Sequence, residues 1–235
     1  MKRIFLTSIF IACVCTHSPA ATIKIAFHNG SVTTNGFGPR PDGAVFASST
    51  DTINNIQNND GVGATFSGVS LDLADGNSTS ATIAGSAGFI NFNNNGWGSG
   101  TDDAVMMEGW YGFRGTESLT LSGLETALGG MNYNITIYGD PGSSRVMGYT
   151  IGGNTKTITS VAKYDGANSP AFVEGSDFIT FNDLSGDGAI EISGNPLNSD
   201  PRSAISGIVI TTIPEPSSVA LFGLAGIGLM FRRRR

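Results

Sequence analysis

The sequence predicts an all-β fold, an antiparallel β-sandwich of the jelly-roll kind, and three observations carry that expectation. The chain is rich in Gly, Ser, Thr and Asn and poor in Lys and Glu, which favours extended strands and turns over long amphipathic helices. Apolar and polar residues alternate in about a dozen short stretches, each bounded by Gly, Asn or Asp. Helical periodicity is nearly absent, so two packed antiparallel sheets are the expected outcome. A β-helix is the competing architecture, but it needs a repeat of fixed period and the sequence has none.

The first element sets the pattern. From Thr22 to His28, Ile23, Ile25 and Phe27 share one face and Lys24, Ala26 and His28 the other, as in a half-buried strand. Asn29-Gly30 turns the chain, and Gly36 to Gly43, with Pro39 and Pro41, reads as a loop. Short strands are then expected at Ala44 to Ser48, Ala64 to Leu73, Ser80 to Ala84, Phe89 to Phe92 and Ala104 to Glu108. The second half is more regular, with strands at Glu117 to Leu121, Asn132 to Tyr138, Val146 to Ile151, Lys156 to Ala162, Asp177 to Phe181, Ala189 to Ile192 and Ala204 to Thr211. Within Asn132 to Tyr138, Tyr133, Ile135 and Ile137 point inward and Asn134 and Thr136 outward. Only Asp51 to Gln57 and Leu124 to Leu128 suit a turn or two of helix.

Three of these stretches, Leu119-Thr120-Leu121-Ser122-Gly123-Leu124, Tyr133-Asn134-Ile135-Thr136-Ile137-Tyr138-Gly139 and Ala204-Ile205-Ser206-Gly207-Ile208-Val209-Ile210, resemble the closing half of malectin-like and galactose-binding-like sandwiches. Ile23-Lys24-Ile25-Ala26-Phe27 is similar to their first strand. The shared positions are strand and turn residues, so the resemblance implies a fold and no ligand.

The two ends read as addresses. Met1-Lys2-Arg3 is a basic start, Ile4 to Val14 an apolar run, and Ser18-Pro19-Ala20 places small residues before a cut, so residues 1–20 are expected to be a signal peptide cleaved after Ala20 and handled by the Sec machinery. Acylation at Cys13 or Cys15 is the alternative, against which Phe10 and Val14 occupy positions where a lipobox has small residues. At the other end, residues 214–235 contain Pro214-Glu215-Pro216, an apolar run of 15 residues from Ser217 to Phe231, and Arg232, Arg233, Arg234 and Arg235. As a helix that run reaches roughly 22 Å, short of the ~30 Å hydrocarbon core. The arginines suit cytoplasmic headgroups and the Pro-Glu-Pro shoulder the opposite interface, a transmembrane orientation with the N-terminal side outside.

This order of parts resembles the PEP-CTERM sorting signal of bacterial exported proteins. The resemblance implies processing by an exosortase-type membrane enzyme, a membrane stage before processing, and then a place on the cell surface or in the extracellular matrix. A plain tail anchor would explain the helix and the arginines, but not Pro214 and Pro216.

Residues 21–213 then form one domain. Of the 13 Lys and Arg, six lie in the two ends, whereas of the 19 Asp and Glu only Glu215 does, which leaves the body near −11. Such a charge argues against nucleic acid as a partner. The body has no cysteine, so neither disulfides nor thiolate metal sites support it.

The residues that carry chemistry are sparse. His28 is the only histidine left after signal cleavage, and no Gly-x-Ser-x-Gly turn, second histidine or thiol accompanies it. Gly96-x-Gly98-x-Gly100 lacks the strand and helix of a dinucleotide site. Asp102, Asp103 and Glu108 concentrate carboxylates as a glycan hydrolase would, although neighbours on a strand face opposite ways. No catalytic residue and no cofactor is expected. Asp183, Ser185 and Asp187 at positions one, three and five, with Gly188 at six and Ile190 at eight, match the start of a calcium loop, but Gly194 stands where the bidentate acid belongs. A tight turn explains the same letters. Trp97 in Asn93-Asn94-Asn95-Gly96-Trp97-Gly98-Ser99-Gly100, with Trp110 and Tyr111 beyond, supplies aromatic rings among amides and hydroxyls, the chemistry of a carbohydrate platform. The competing reading is a tryptophan folded back over one end of the sandwich. The function expected is a non-catalytic surface or exopolysaccharide-matrix protein, with a carbohydrate-binding module as the alternative and a glycan hydrolase behind it.

Overall fold

In the computed structural model, which describes residues 20–28, 51–57, 64–92, 109–113, 117–139, 145–160, 173–196 and 203–214, two antiparallel sheets face each other. The strands are β1 Thr22–His28, β2 Asn54–Gln57, β3 Ala64–Asp72, β4 Ser78–Phe92, β5 Gly109–Phe113, β6 Ser118–Ser122, β7 Tyr133–Gly139, β8 Arg145–Ile151, β9 Asn154–Ser160, β10 Phe178–Leu184, β11 Ile190–Pro196 and β12 Ser203–Thr212. One short helix, α1 Leu124–Ala127, lies between β6 and β7. Ala20–Ile213 form one unit by their contacts.

The first sheet is built on β12. One edge of β12 carries β7, itself flanked by β10; the other carries β1 along Gly207 to Thr211 and β5 along Ser203 to Ile205. The second sheet runs β3-β4-β6-β11-β8-β9. Strand β4 belongs to both: Thr82 to Gly85 pair with β6, and Phe89 to Phe92 pair with β5. The expected strands Ser80 to Ala84 and Phe89 to Phe92 are therefore one strand of 15 residues. Gly85, which reads as a break, is required inside it, because a Cβ there would lie 2.5 Å from the Phe66 ring.

The core fills the space between the sheets. Tyr111 stands at its aromatic centre, 5.5 Å from Phe27 and edge-on to Phe66 and Phe113 at 6.0 and 5.1 Å. Gly194 of the second sheet meets Phe113 of the first so closely that a Cβ would come within 2.6 Å of the ring. Tyr149 crosses the sandwich, its hydroxyl donating to the Ala204 carbonyl. Inward residues alternate as expected, with Tyr133, Ile135 and Ile137 fully buried.

Several expectations are corrected. Residues Asp51 to Gln57 contain no helix; Asn54–Gln57 is β2, parallel to β1. The spacing of Ile53 and Ile56 mimics a helical stripe, but in extended chain an odd spacing sends the two side chains to opposite faces. Ile56 enters the main core, and Ile53 joins Ala26, Tyr138 and Val209 in a second cluster. That second cluster also revises the outward faces of β1 and β7. Lys24, Ala26 and Thr136 are buried at 6%, 2% and 7% exposure, and Lys24 is paired with the Asp51 carboxylate. Gly109–Phe113, where no strand was expected, is β5. The expected strands Ala44 to Ser48 and Ala104 to Glu108, the signal peptide and the tail helix lie outside the described residues.

The open sides of the sandwich are closed by polar groups. Between β9 and β10, Lys156 donates to the Thr180 carbonyl and Thr159 N to the Gly175 carbonyl at 2.8 Å. Between β1 and β3, the Asn54 amide substitutes for a missing strand: its nitrogen donates to Lys24 O at 3.0 Å and Asp72 O at 2.8 Å, and its oxygen accepts from Asp72 N at 2.7 Å. Replacing Asn54 by Leu strips partners from all three main-chain groups in a half-buried position. Urea unfolding should show a loss of about 2 kcal/mol with an unchanged slope. A loss under about 0.5 kcal/mol, the scale of ordinary surface substitutions, would mean that water replaces the amide without cost.

Candidate functional site

Three places bear on function: the end of β12 where the tail begins, the Asp183 to Asp187 loop, and the surfaces open to a ligand. The exit of the tail is the best defined. Thr212 N donates to Ala21 O at 3.0 Å and Ile213 N to Asn132 O at 2.8 Å, so the chain stays in the sheet up to the residue before Pro214, which is exposed. Because Thr22 pairs with Thr211, both ends of the body leave the same end of the sheet on neighbouring strands. Glu215, Pro216 and Arg232 to Arg235 lie outside the described residues.

The Asp183 to Asp187 loop is tied to helix α1. The helix begins after Gly123, whose left-handed backbone supplies no side-chain cap, and the missing acceptor comes from sixty-one positions away. Asp187 accepts from Thr126 N at 2.7 Å and from the Thr126 hydroxyl, meeting an N-terminal N–H that helix geometry leaves over. Glu125 returns the contact by accepting from Gly186 N, and Tyr133 donates to Gly186 O at 3.1 Å. Asp183 sits in a bulge of β10 at φ 59°, a conformation Asp tolerates, with its N–H on Asn134 Oδ1 and its carboxylate accepting from Asn132 at 2.7 Å. Of the calcium candidates, Asp183 and Asp187 are thus joined to different partners, and Ser185 is exposed beside them. Among the described residues no group of three His, Cys, Asp or Glu gathers in a metal-binding arrangement.

The carbohydrate candidates divide. Tyr111 has no exposed surface; its ring is part of the core and offers no platform. The alternation of β5 buries it, a constraint invisible while the strand itself was unrecognised. Trp110 belongs to β5, paired with Asn91, but its side chain, like that of His28 at the end of β1, lies outside the described residues. So do Trp97, Asp102, Asp103 and Glu108 and the Gly96 to Gly100 loop.

One surface was not singled out by the sequence. On the outer face of the second sheet, Ser118, Ser193, Thr150 and Thr155 lie side by side across β6, β11, β8 and β9. Ser70, Thr82 and Ser122 form a second row across β3, β4 and β6. Neighbours in a row are about 4.8 Å apart, the distance between strands, and the Thr150 and Thr155 hydroxyls are bonded at 2.8 Å. The recurrence of Thr at every second position in Thr155-Lys156-Thr157-Ile158-Thr159 is the sequence signal for this face.

The comparisons with known proteins bear on the tail. Residues 212–235 match the PEP-CTERM protein-sorting motif. Comparison with the curated proteins and with the solved structures finds no match, and the malectin-like resemblance has no support from them.

The loop and helix make a pH prediction. Hydrogen bonds from the Thr126 side chain and then its main chain hold the Asp187 carboxyl below the usual carboxylate range. A lowered acid pKa stabilises the fold above the unfolded value, about 3.9, and that contribution disappears as pH falls through the folded value. Asp187→Asn should therefore melt lower than the wild type at pH 7, and the gap should narrow below about pH 4. Equal gaps at pH 7 and pH 2.5 would show that the charge contributes nothing. Tyr133 behaves oppositely: burial, then the Glu125 and Asp187 carboxylates, raise its phenol, a contribution complete below about pH 10 and lost as pH rises further.

Proposed function

We propose that this chain is an exported, non-catalytic component of the cell surface or exopolysaccharide matrix, sorted through its tail by an exosortase-type enzyme. The observation that carries the proposal is the PEP-CTERM sorting motif at residues 212–235, beginning where the last strand of the body ends. That motif belongs to proteins that are secreted, held in the membrane before processing and then located at the surface. The body suits such a life. It has a buried core of Ile, Leu, Phe and Tyr, it needs no disulfide, and its net charge near −11 keeps it apart from anionic surfaces. Entry through the Sec route by the residue 1–20 signal completes the reading.

A second reading, a carbohydrate-binding module, is favoured by the Ser and Thr rows on the second sheet, an almost uncharged face interrupted by Glu191. Hydroxyl rows order water and neutral polyhydroxylated chains, but the affinity of sugars for proteins depends mostly on stacking against aromatic rings. Trp97, in its Asn- and Gly-rich stretch, is the residue to supply that ring.

Two measurements test these readings. Replacing Pro214-Glu215-Pro216 by three alanines in the full chain should leave a membrane-held form that keeps Arg232 to Arg235, whereas the wild type recovered from the cell surface should lack them by mass spectrometry. Arginines intact on the surface protein would reduce the tail to an anchor. For the second reading, Trp97→Ala should weaken retention on the producer's exopolysaccharide about tenfold, a difference of about 1.4 kcal/mol, with little change in melting temperature. If instead the variant loses about 3 to 5 kcal/mol of stability, Trp97 plugs the core and binds no sugar.

A further inference from the structure

The sorting motif and the folded body overlap. The matched motif begins at Thr212, yet Thr212 is the last residue of β12 and Ile213 continues its ladder. Any enzyme that acts on a peptide chain holds it extended, with residues on both sides of the reacting bond in contact. Here the residues before Pro214 are already committed: Thr211 is paired with Thr22, Thr212 with Ala21 and Tyr133, and Ile213 with Asn132. Motif and sheet compete for the same N–H and carbonyl groups.

The end of β12 is also the part of the strand suited to give way. Ser203 to Ile210 are all buried, whereas Thr211 and Ile213 are only half-buried at the end of the ladder. Thr212 is buried too, at 4% exposure, but its hydroxyl has no hydrogen-bond partner among the described residues. Burying a hydroxyl without a partner is unfavourable, so release of Thr212 to water or to an enzyme recovers part of what the broken ladder costs. Beyond it, Ile213 is only half-buried. Strand ends open locally far more readily than strand centres.

We propose that Thr211–Ile213 peel from Ala21 and Thr22 on one side and from Asn132, Tyr133 and Asn134 on the other to enter the sorting enzyme, so that Thr211, Thr212 and Ile213 are a recognition element which the folded body withholds until the enzyme engages. The proposal rests on the exosortase reading above and adds which residues the enzyme takes from the sheet. It makes the sorted substrate a folded domain opened by three residues, with Ser203 to Ile210 remaining in place.

A reversible clamp tests it. Thr212 N bonds Ala21 O, so Ala21 and Thr212 are a hydrogen-bonded pair, and Thr22 and Thr211 beside them are the closer, non-hydrogen-bonded kind, with Cα atoms about 4.5 Å apart. That separation accommodates a disulfide, whose range is about 4.4 to 6.8 Å. The body contains no other cysteine. In the full chain carrying Thr22→Cys and Thr211→Cys, expressed in the producing cell, the oxidised form should lose its tail at least about tenfold more slowly than the same protein under reductant. The single Cys variants should match the wild type. Inserting Gly-Ser-Gly-Ser-Thr-Ile after Ile213, which offers an unpaired Thr-Ile ahead of Pro214, should restore processing of the oxidised form and so separate a clamped substrate from a misfolded one. Equal processing of oxidised and reduced protein overturns the peeling and leaves the sorting reading intact, and so does failure of the insertion to rescue. Absence of processing in the reduced and single-Cys forms and in the wild type overturns the sorting reading itself.

Discussion

The pairing of the first strand of the body with the last is the constraint from which the rest of the structure follows. β12 has β7 on one edge and both β1 and β5 on the other, so three strands of the first sheet take their positions from it. Contacts between residues as distant as Thr22 and Thr211 close the chain on itself. Such long closures carry a large entropic cost and are met late in folding. β12 is also the last strand in chain order. The first sheet is therefore completed only when the strand that runs into the sorting motif is seated.

The same pairing explains why the tail needs no linker. A terminal strand at the edge of a sheet frays and tolerates extension; a terminal strand in the middle is held along both sides. Thr212 and Ile213 are still hydrogen-bonded when the motif starts, so the ladder holds the chain as far as the residue before Pro214. The bulge in β12 between Ile205 and Gly207 divides the strand into a part facing β5 and a part facing β1, and it lets one strand serve two neighbours that do not line up with each other.

Much of this was legible in the sequence, and the failures have identifiable causes. Period-two alternation located β1, β7, β8 and β12 to within one residue at each end, through runs such as Ile23, Ile25 and Phe27 or Met147, Tyr149 and Ile151; Thr22 to His28 matched end to end. Alternation carries no information about the opposite face, however. Lys24 and Thr136 were expected in water and are buried, since the neighbours that cover them, Asp51 and Thr180 among them, come from distant parts of the chain. β5 was missed because Gly109-Trp110-Tyr111-Gly112-Phe113 has glycine at two of its five positions, which reads as loop. Tyr111 was consequently assigned to a surface when it belongs to the core. Of the site, the tail was fully legible, as a motif confined to contiguous residues. The partnership of Asp187 with Thr126 was not, because long-range capping leaves only an indirect trace, a helix start at Gly123 with no acceptor of its own.

The absence of cysteine in the body throws the work of closure onto side-chain polar groups, and they share one design. Asn54 joins β1 to β3, Lys156 joins β9 to β10, and Asp187 with Glu125 joins the β10–β11 loop to α1. Each lies where a sheet edge or a helix end would otherwise leave main-chain groups unpaired, and each reaches main-chain atoms, Asp187 taking the Thr126 hydroxyl as well. A disulfide in these places would cross-link the unfolded chain as well. Hydrogen bonds to the main chain act only once the strands are in register, so they stabilise the finished sandwich without constraining the unfolded chain.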